Sequence, residues 1–358
     1  MRIAKKIIKW VLIILAIIIL IVGAYAAYYM LSYKRIDDNL SLDIKGDLTT
    51  QATLNTDIKV ISYNVGFGAY TPDFGFFMDG GDKGRANSKE SVENCINGTI
   101  ALLLEKNPDI IFLQEVDKKA TRSYKVDQEK MYLDTLNGYE TTYAINYDSP
   151  YLIYPFNLPF GSALAGMMVA SKYGITSSVR RSLPVETGFS KYFDLDRCYT
   201  VNRVNVENGK ELLLYCVHLS AYTSDGKIAD TQLQRLIDDM KIEYEKGNYI
   251  ICGGDFNKDL LGNSSEIFGV DGSNYTWAQP IKEEYLTGTG LNLVKPYNEE
   301  NPVPSCRNAD GPYNKDQFVI TIDGFIISNN ITLKGADVID TGFEYSDHNP
   351  VEMTVMLN

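Results

Sequence analysis

Cysteine is scarce and unpatterned in this sequence. The 358 residues contain five cysteines, an odd number, and no two of them form a Cys-x-x-Cys pair. Exported domains that depend on disulfides carry dense sets of cysteines, usually in even number. A disulfide framework is therefore excluded. Cys216 and Cys252 lie inside apolar, strand-like runs, where a small buried thiol is the expected role.

An excess of basic charge is also missing. The first 35 residues hold six of the 34 Lys and Arg side chains and no acid. The remainder has 28 basic and 46 acidic side chains, a formal net charge of −18. Proteins that grip long nucleic acids neutralise many phosphates with Lys and Arg. Long DNA or RNA is therefore disfavoured as the main substrate, although a local basic groove is compatible with this composition.

Charge of either sign is absent from one long run near the N-terminus. Residues 10–31 carry no charged side chain, four basic residues precede them, and Lys34 and Arg35 close the run. About 20 apolar residues suffice to cross a bilayer as a helix, so residues 1–35 are predicted to be a membrane anchor with one spanning helix. The basic cluster before the run predicts a cytoplasmic N-terminus and an external C-terminal domain. That cluster is Arg2, Lys5, Lys6 and Lys9.

The far end of this run allows a second interpretation. Residues 24–26, Ala-Tyr-Ala, resemble a small-x-small cleavage site, so the run can also be read as a cleaved secretory signal. The run is long for a signal peptide, which favours an uncleaved anchor. Both interpretations export the domain. Tyr25, Tyr28, Tyr29 and Tyr33 are placed where an aromatic belt meets the membrane interface.

Beyond the anchor, the chain is predicted to form a linker and one domain. Residues 36–56 are polar and rich in Thr, Asn and Asp, which is typical of a linker. From residue 57 to 358, strand and helix patterns alternate and short hairpins intervene, so an α/β domain with mixed sheets is expected. Strands are predicted at 58–63, 109–113, 139–145, 163–171, 175–183, 198–206, 211–217, 318–327 and 351–357, and helices at 91–106 and 230–246. Asn107 and Pro108 are expected to end the first helix, and residues 262–316 are predicted to be rich in loops.

The stretch Ile250–Asp259 is the most informative part of this domain. Two apolar residues and a cysteine lead into Gly253 and Gly254, and Asp255 and Asn257 follow with Phe256 between them. On an extended backbone the two polar side chains would emerge side by side while the phenylalanine turns inward. The glycines allow a close approach to the backbone or a sharp turn. An ordinary turn after a strand would have the same composition.

Similar polar residues follow several other predicted strands. The chain has only two histidines, and both belong to this group. Glu115 follows four apolar residues, and a buried carboxylate without a partner is costly. The group therefore indicates a shared polar site at strand ends, although single members such as Asn64 and Asp323 can also be strand caps. Its members are Asn64, Glu115, His218, Asp255, Asn257, Asp323, Asp347 and His348.

These residues resemble the endonuclease/exonuclease/phosphatase superfamily, whose fold is like that of deoxyribonuclease I. The matching stretches appear in the family's order and cover nearly all of the chain after the anchor. The resemblance implies a four-layer sandwich, in which two packed mixed β-sheets are flanked by helices. The stretches are SYNV (62–65), LQEV (113–116), VHL (217–219), GGDFN (253–257), IDGFIIS (322–328) and SDHNPV (346–351).

The resemblance also implies roles for individual residues. Glu115 is similar to the family's principal Mg²⁺ ligand, with Asn64 and Asp347 beside it, and Mn²⁺ can replace Mg²⁺ at such a site. Asp255 is similar to the group that orients or deprotonates the attacking water, and either it or His348 can be the base. His348 would pair with Asp323, Asn257 and His218 would contact the phosphate, and both histidines would act as imidazolium ions. Arg197 is similar to an arginine that contacts substrate phosphate, or else lies on the surface.

The resemblance does not choose the substrate. We expect a Mg²⁺-dependent phosphoesterase that lies outside the cell at the surface of the cell membrane and acts on a phosphomonoester or a phosphodiester. The alternatives are a nuclease, a sphingomyelinase-like or phospholipase C-like lipid phosphodiesterase, and a catalytically silent binding module. Two aromatic segments, 70–78 and 147–160, would either touch a membrane interface or a sugar, or pack against the domain itself. No protein partner is implied.

Overall fold

Two seven-stranded β-sheets packed face to face form the body of the protein, behind a long N-terminal helix. The computed structural model describes residues 2–188, 191, 195–221, 227–277 and 279–358. The predicted four-layer α/β sandwich with mixed sheets is confirmed. The helices are α1 Arg2–Ser32, α2 Lys89–Lys106, α3 Gln128–Thr135, α4 Lys227–Glu245 and α5 Ser264–Phe268. The strands are β1 Leu40–Ser41, β2 Ile44–Lys45, β3 Asp57–Asn64, β4 Ile110–Asp117, β5 Glu140–Leu152, β6 Gly161–Ser171, β7 Ile175–Ser182, β8 Cys198–Asn205, β9 Glu211–His218, β10 Tyr249–Asp255, β11 Leu291–Val294, β12 Cys306–Arg307, β13 Val319–Ile320, β14 Asp323–Ser328, β15 Ile331–Val338 and β16 Val351–Leu357.

The strand order explains why distant parts of the chain meet. The first sheet runs β1-β7-β8-β9-β10-β14-β11, and the second runs β15-β16-β3-β4-β6-β5-β2. Among the described strands, the pairs β9/β10 and β3/β4 are parallel. β14 is antiparallel to β10, and β16 is antiparallel to β3. The ends of β3, β9 and β10 and the starts of β14 and β16 therefore lie at one edge of the sandwich.

Three apolar layers hold the sheets and helices together. Phe112, Cys216 and Phe325 are buried between the two sheets. On the outer face of the second sheet, α2 packs through Val92 and its neighbours, and on the outer face of the first sheet α4 packs in the same way. The helix α2 begins after Ser88, whose side chain accepts the Ser91 N–H, and it stops before the proline predicted to end it. The central strands β4, β9, β10 and β14 are buried along almost their whole length, because each sheet is covered by the other sheet on one face and by helices and loops on the other.

The two glycines of β10 serve close packing. A Cβ atom on Gly254 would lie 1.9 Å from the carbonyl oxygen of Val217 on the neighbouring strand β9. A Cβ atom on Gly253 would lie 2.6 Å from the ring of Phe112, across the interface between the sheets. The sequence left open whether these glycines serve a turn or a close approach. The geometry supports close approach at both positions.

Replacing Gly254 by Ala is expected to destabilise the fold by more than about 3 kcal/mol, because the clash is with backbone and cannot be relieved by a rotamer change. The measurement is the denaturant midpoint of the full chain in detergent. Gly335→Ala is the matched control, since Gly335 lies in β15 and a Cβ atom added there would meet no other atom within 4 Å. Equal midpoints for the two variants would show that β9 can move away from β10.

Three segments differ from the prediction. The range 36–56 was predicted as a linker, but β1 and β2 add to the edges of both sheets, and Asp38 accepts hydrogen bonds from Ser182 N and Arg235. The strand β15 was not predicted, because its residues alternate only weakly between buried and exposed. The short strand β11 lies in a range predicted as loop. In each case pairing with a sheet edge, rather than local sequence, forms the strand.

Candidate active site

A cleft lies at the sheet edge where these strand ends meet. It is lined by seven of the nine predicted site residues, and the other two, Asn64 and Asp323, lie just behind it with hydrogen bonds to lining residues. The shared site expected from the sequence is therefore present in the fold. The seven lining residues are Glu115, Arg197, His218, Asp255, Asn257, Asp347 and His348.

Asp255 is the most connected residue of the cleft. It ends β10, and its Oδ1 accepts the backbone N–H of Asn257 at 2.9 Å. Its Oδ2 accepts the side-chain amide of Asn64 at 3.1 Å and lies 3.5 Å from Nε2 of His218 and 3.8 Å from Nε2 of His348. The carboxyl group thus stands between both histidines of the chain.

Burial and the nearby charge of Asp323 raise the pKa of Asp255 to about 7. Burial disfavours the ionised form, and a second carboxylate in register on the neighbouring strand adds repulsion. A carboxyl group with a pKa near neutrality can both hold and release a proton under ordinary conditions. Asp255 therefore has the acid-base properties of a general base.

The extended geometry expected for residues 255–257 is wrong. β10 stops at Asp255, and Asn257 has a φ of +48°, in the left-handed region. The hydrogen bond from Asn257 N to Asp255 closes a turn that brings the two side chains together. Asn257 then donates its amide to the carbonyl oxygen of Leu219 at 2.9 Å, and Phe256 is fully buried as expected. A turn, not strand alternation, places this pair.

His348 and Asp323 form the expected pair. Nδ1 of His348 lies 2.8 Å from Oδ2 of Asp323, which also accepts the hydroxyl of Ser305 at 2.7 Å. Burial alone would lower the pKa of His348, but the charge of Asp323, supported by Cys306 and Asp347, raises it well above its usual value. The pairing with Asp323 therefore favours the imidazolium form of His348.

His218 has the opposite character. Burial, followed by the positive charges of Arg197 and His348, lowers its pKa well below the usual value. The expectation that both histidines are imidazolium ions is not supported for His218, because burial and the charges of Arg197 and His348 all disfavour its protonated form. A neutral imidazole still carries one N–H that can donate to a phosphate oxygen.

Glu115 and Asp347 form the other side of the cleft. Glu115 was expected at the end of its strand, but it lies inside β4 at a register shift between Leu113 and Val116, with a φ of +57°. Bulges and left-handed non-glycine residues redirect side chains and are enriched at functional sites. Burial, with the charge of Glu115, raises the pKa of Asp347 to about 6. The two carboxylates thus repel one another.

Asn64 is oriented by its own backbone neighbour. Its Oδ1 accepts the N–H of Gly66 at 3.1 Å, which leaves Nδ2 facing Glu115 Oε1 at 3.3 Å and Asp255 Oδ2 at 3.1 Å. The amide therefore bridges the two walls of the cleft. As arranged here, its nitrogen rather than its oxygen faces Glu115, so this orientation does not supply a metal ligand.

A second set of groups also meets the distance criterion for a metal. Ligand atoms of Asp255, Asp323 and His348 lie within 4.8 Å of one another. The hydrogen bond between His348 and Asp323 already uses one atom from each residue, and the imidazolium form has no lone pair to offer. The carboxylates of Glu115 and Asp347 are not used in this histidine–carboxylate hydrogen bond, so they are the better candidates to bind a divalent cation.

Residues 61–348 match the model of the endonuclease/exonuclease/phosphatase family. The chain belongs to this family. Family members are hydrolases of phosphoester bonds and generally depend on a divalent metal, and the protein is accordingly a phosphoester hydrolase of the endonuclease/exonuclease/phosphatase type. No curated protein matches the chain in sequence.

Solved structures of the endonuclease/exonuclease/phosphatase type share the fold. A family protein from Beutenbergia cavernae is 19% identical, with a TM-score of 0.59 over 84% of this chain and 72% of that one. The human Nocturnin catalytic domain with bound sulfate is 17% identical, with a TM-score of 0.55 over 88% and 97%. ANGEL2, a 2′,3′-cyclic phosphatase, in complex with adenosine-2′,3′-vanadate, is 14% identical, with a TM-score of 0.55 over 89% and 99%. At these identities the likeness is one of fold.

The prediction from sequence did not include several residues that lie in or beside the cleft. Ser305, Cys306 and Arg307 lie in a range predicted as loop, yet Ser305 binds Asp323, Cys306 Sγ lies 3.6 Å from His348 Nε2, and Arg307 N donates to Asp347 O. No periodicity marks them, because β12 is two residues long. Arg197, whose alternative was a surface position, is only 3% exposed and lines the cleft.

Proposed function

We propose that this protein is a Mg²⁺-dependent phosphoesterase anchored in the cell membrane by α1, with its catalytic domain outside the cell. One observation carries the proposal. A single cleft contains two neighbouring carboxylates, a histidine kept protonated by a paired carboxylate, and a carboxyl group with a pKa near neutrality. These are the groups needed to hold a cation, neutralise phosphoryl charge and take a proton from water.

The donor set of Glu115 and Asp347 fits Mg²⁺. The ion prefers carboxylate oxygens and few protein ligands, and a cation beside both groups would remove the repulsion that helps to raise the pKa of Asp347. Mn²⁺ accepts the same ligands. When bound, the ion supplies a Lewis acid that polarises a phosphoryl oxygen. Asn64, given its amide orientation, holds Glu115 and Asp255 in position.

Asp255 is the proposed base for the attacking water. His348 is protonated and therefore has no lone pair to accept a proton, whereas Asp255 titrates near neutrality. The water oxygen bonds to phosphorus, its proton passes to Asp255, and the bond from phosphorus to the leaving oxygen breaks. The leaving oxygen keeps the electron pair of that bond and departs as an alkoxide or aryloxide, which takes a proton from solvent water. Attacking and leaving oxygens lie roughly in line on opposite sides of phosphorus. His348, 3.8 Å from Asp255, therefore neutralises the phosphoryl oxygens rather than protonating the leaving group.

Two arginines give the cleft local positive charge, although the domain as a whole is acidic. Arg197 and Arg307 are buried residues that line the cleft, and guanidinium groups bind phosphate oxygens well. Arg197, His218 and Asn257 form the proposed phosphate-contacting side. Arg307 adds positive charge beside it, while its guanidinium group donates to the carbonyl oxygens of Gly311, Thr71 and Phe74. A short nucleic acid or nucleotide is the second candidate substrate, because this local positive charge offsets the overall charge of −18 outside the anchor.

Anchoring rests on α1. Among the described residues, α1 is the one helix long and apolar enough to cross a membrane, and its apolar window is not buried against the domain. Basic residues occupy the first turns of α1, before its apolar part, and the positive-inside tendency supports an external domain. The predicted lipid phosphodiesterase alternative is compatible with this location.

Full-length protein in detergent is expected to hydrolyse bis(p-nitrophenyl) phosphate with Mg²⁺ and to lose this activity when EDTA is added. Release of p-nitrophenol measures it, and p-nitrophenyl phosphate in parallel separates diester from monoester activity. Single-stranded DNA, RNA, sphingomyelin, a phosphoinositide and a sugar phosphate extend the screen. Asp255→Ala controls for contaminating hydrolases. If no substrate is cleaved faster than by this variant, the proposed activity is wrong.

A further inference from the structure

The end of β5 and the loop that joins it to β6 are bound to the C-terminal part of the apolar helix. The hydroxyl of Tyr25 on α1 donates to the carbonyl oxygen of Tyr151 at 3.1 Å and accepts the N–H of Ile153 at 3.3 Å. The hydroxyl of Tyr28 accepts the N–H of Tyr151 at 3.3 Å. The tip of the domain, which we call the apolar loop (residues 151–160), is thus fastened to the helix by three hydrogen bonds.

These hydrogen bonds matter because they satisfy backbone groups. In a bilayer, no water reaches a backbone N–H or carbonyl group, so each one needs a partner within the protein. The groups of Tyr151 and Ile153 that face α1 receive such partners from tyrosines near the helix end. Tyrosine is also the residue type that favours the boundary between hydrocarbon and water.

The side chains of the apolar loop point in two directions. Phe160 is buried with Tyr147 in the domain, as expected if the aromatic segment packs on its own flank. Tyr154 and Phe156 instead are 52% and 77% exposed. The sequence has no charged residue from Ser149 to Ser171. An exposed apolar tip next to an apolar helix is typical of a surface with a missing partner.

The length of α1 determines how deep the apolar loop lies relative to the bilayer. Tyr25 and Tyr28 lie before the helix end at Ser32, by roughly 10 and 6 Å at 1.5 Å per residue. A hydrocarbon core of about 30 Å that begins at Trp10 reaches to about the end of this helix. If α1 spans the bilayer in this way, Tyr28 and Tyr25 lie roughly 3 and 8 Å inside the hydrocarbon boundary, and the backbone bonded to them lies in the outer part of the leaflet.

We propose that the apolar loop is a second membrane contact, which inserts Tyr154 and Phe156 into the leaflet from which α1 emerges. This rests on the anchoring proposed above, and its partner is the lipid interface. The phenylalanine ring enters the boundary between headgroups and acyl chains, about 5–10 Å deep for interfacial apolar groups. The domain is then held to the membrane at two points and has one orientation.

The apolar loop is also connected to one wall of the cleft. Phe77 packs against Tyr154, with ring centroids 5.5 Å apart. Asp79, two residues further along, lines the cleft. Two residues span at most about 7 Å of chain, so one wall of the cleft belongs to a segment held by the membrane loop.

The test places a fluorescent label at the tip of the loop. Phe156→Cys in the full chain is labelled with nitrobenzoxadiazole and reconstituted into phosphatidylcholine–phosphatidylglycerol vesicles with or without doxyl-labelled phosphatidylcholine. All five native cysteines are buried, so the new thiol is the accessible one. Leu333→Cys is the matched control, because Leu333 is 42% exposed on β15 at the opposite edge of the same sheet. Vesicle flotation and the thermal unfolding midpoint of each labelled variant are measured in parallel.

The expected result is flotation of both variants, with loss of fluorescence at residue 156 and none at residue 333. Flotation of a folded Phe156→Cys variant without quenching would overturn the membrane loop while leaving the anchor intact. Failure to float would overturn the anchor and the loop together. Hydrolysis of the soluble aryl phosphodiester is independent of both results, so loss of the proposed activity is distinguishable from loss of the membrane contact. If the cysteine variant does not fold, Tyr154→Cys, at a less exposed position of the same loop, takes its place.

Discussion

Replacing Glu115 by Gln is expected to lower kcat for an aryl phosphodiester by about a thousandfold, since losing a metal ligand removes several kcal/mol of transition-state stabilisation. The change keeps the shape of the side chain and the hydrogen bond from Asn64 to Oε1, so the fold should be retained. Initial rates are measured over a range of Mg²⁺ concentrations. A higher Mg²⁺ requirement together with the lower kcat would place Glu115 at the ion.

The matched control for this prediction is Glu344→Gln. Glu344 is exposed and lies three residues before Asp347, so the variant removes one carboxylate from the same region without changing the lining of the cleft. We expect wild-type rates and wild-type Mg²⁺ dependence. If Glu115→Gln behaved like this control, the assignment of the ion to Glu115 and Asp347 would have to be abandoned.

Replacing His348 by Ala is expected to lower kcat by about 10²–10⁴-fold, the range typical of a positioned charged or proton-transferring side chain. The imidazolium ion lies 3.8 Å from Asp255, and alanine leaves the phosphoryl oxygens without its charge. Near-UV circular dichroism checks that the core is unchanged, because His348 is buried. KM should change less than kcat if the charge acts mainly in the transition state.

The pH profile tests the charge assignments behind this prediction. Activity needs Asp255 ionised and His348 protonated, so it rises as pH passes the raised pKa of Asp255 and falls as pH passes the raised pKa of His348. Asp323 raises both pKa values. Asp323→Asn is therefore expected to move both limbs to lower pH, with a lower maximal rate. A profile that stayed in place or moved to higher pH would contradict the proposed roles.

The sequence predicted which residues meet at the site better than it predicted how their side chains are arranged. Strand patterns ending in Asn64, His218 and Asp255 were sufficient to predict one shared edge, because apolar runs of five to eight residues identify buried strands. The bulge that turns Glu115 into the cleft and the turn at Asn257 depend on left-handed backbone at residues other than glycine. Such conformations are imposed by tertiary contacts and carry no local pattern.

Charge states likewise required the folded structure. Both histidines were expected to be cationic, yet His218 and His348 have opposite pKa shifts. The difference arises because Asp323 contacts one ring, while the other is buried near Arg197. Burial and neighbouring charge depend on distances of a few ångströms between residues far apart in sequence.

The stretch Ile250–Asp259 illustrates which properties the sequence alone predicts and which depend on the folded structure. By itself the sequence determined the mixed α/β class, the anchor candidate and nine polar residues in and beside the cleft, and the order of its motifs implied the family and the two-sheet fold, because apolar periodicity and motif order are local or sequential properties. Only the tertiary structure decided that Gly254 makes room for the backbone of Val217, that Asp255 titrates near neutrality, and that the predicted linker joins both sheets. These features result from packing between segments that are distant in the chain, and packing is what a pattern along one chain does not contain.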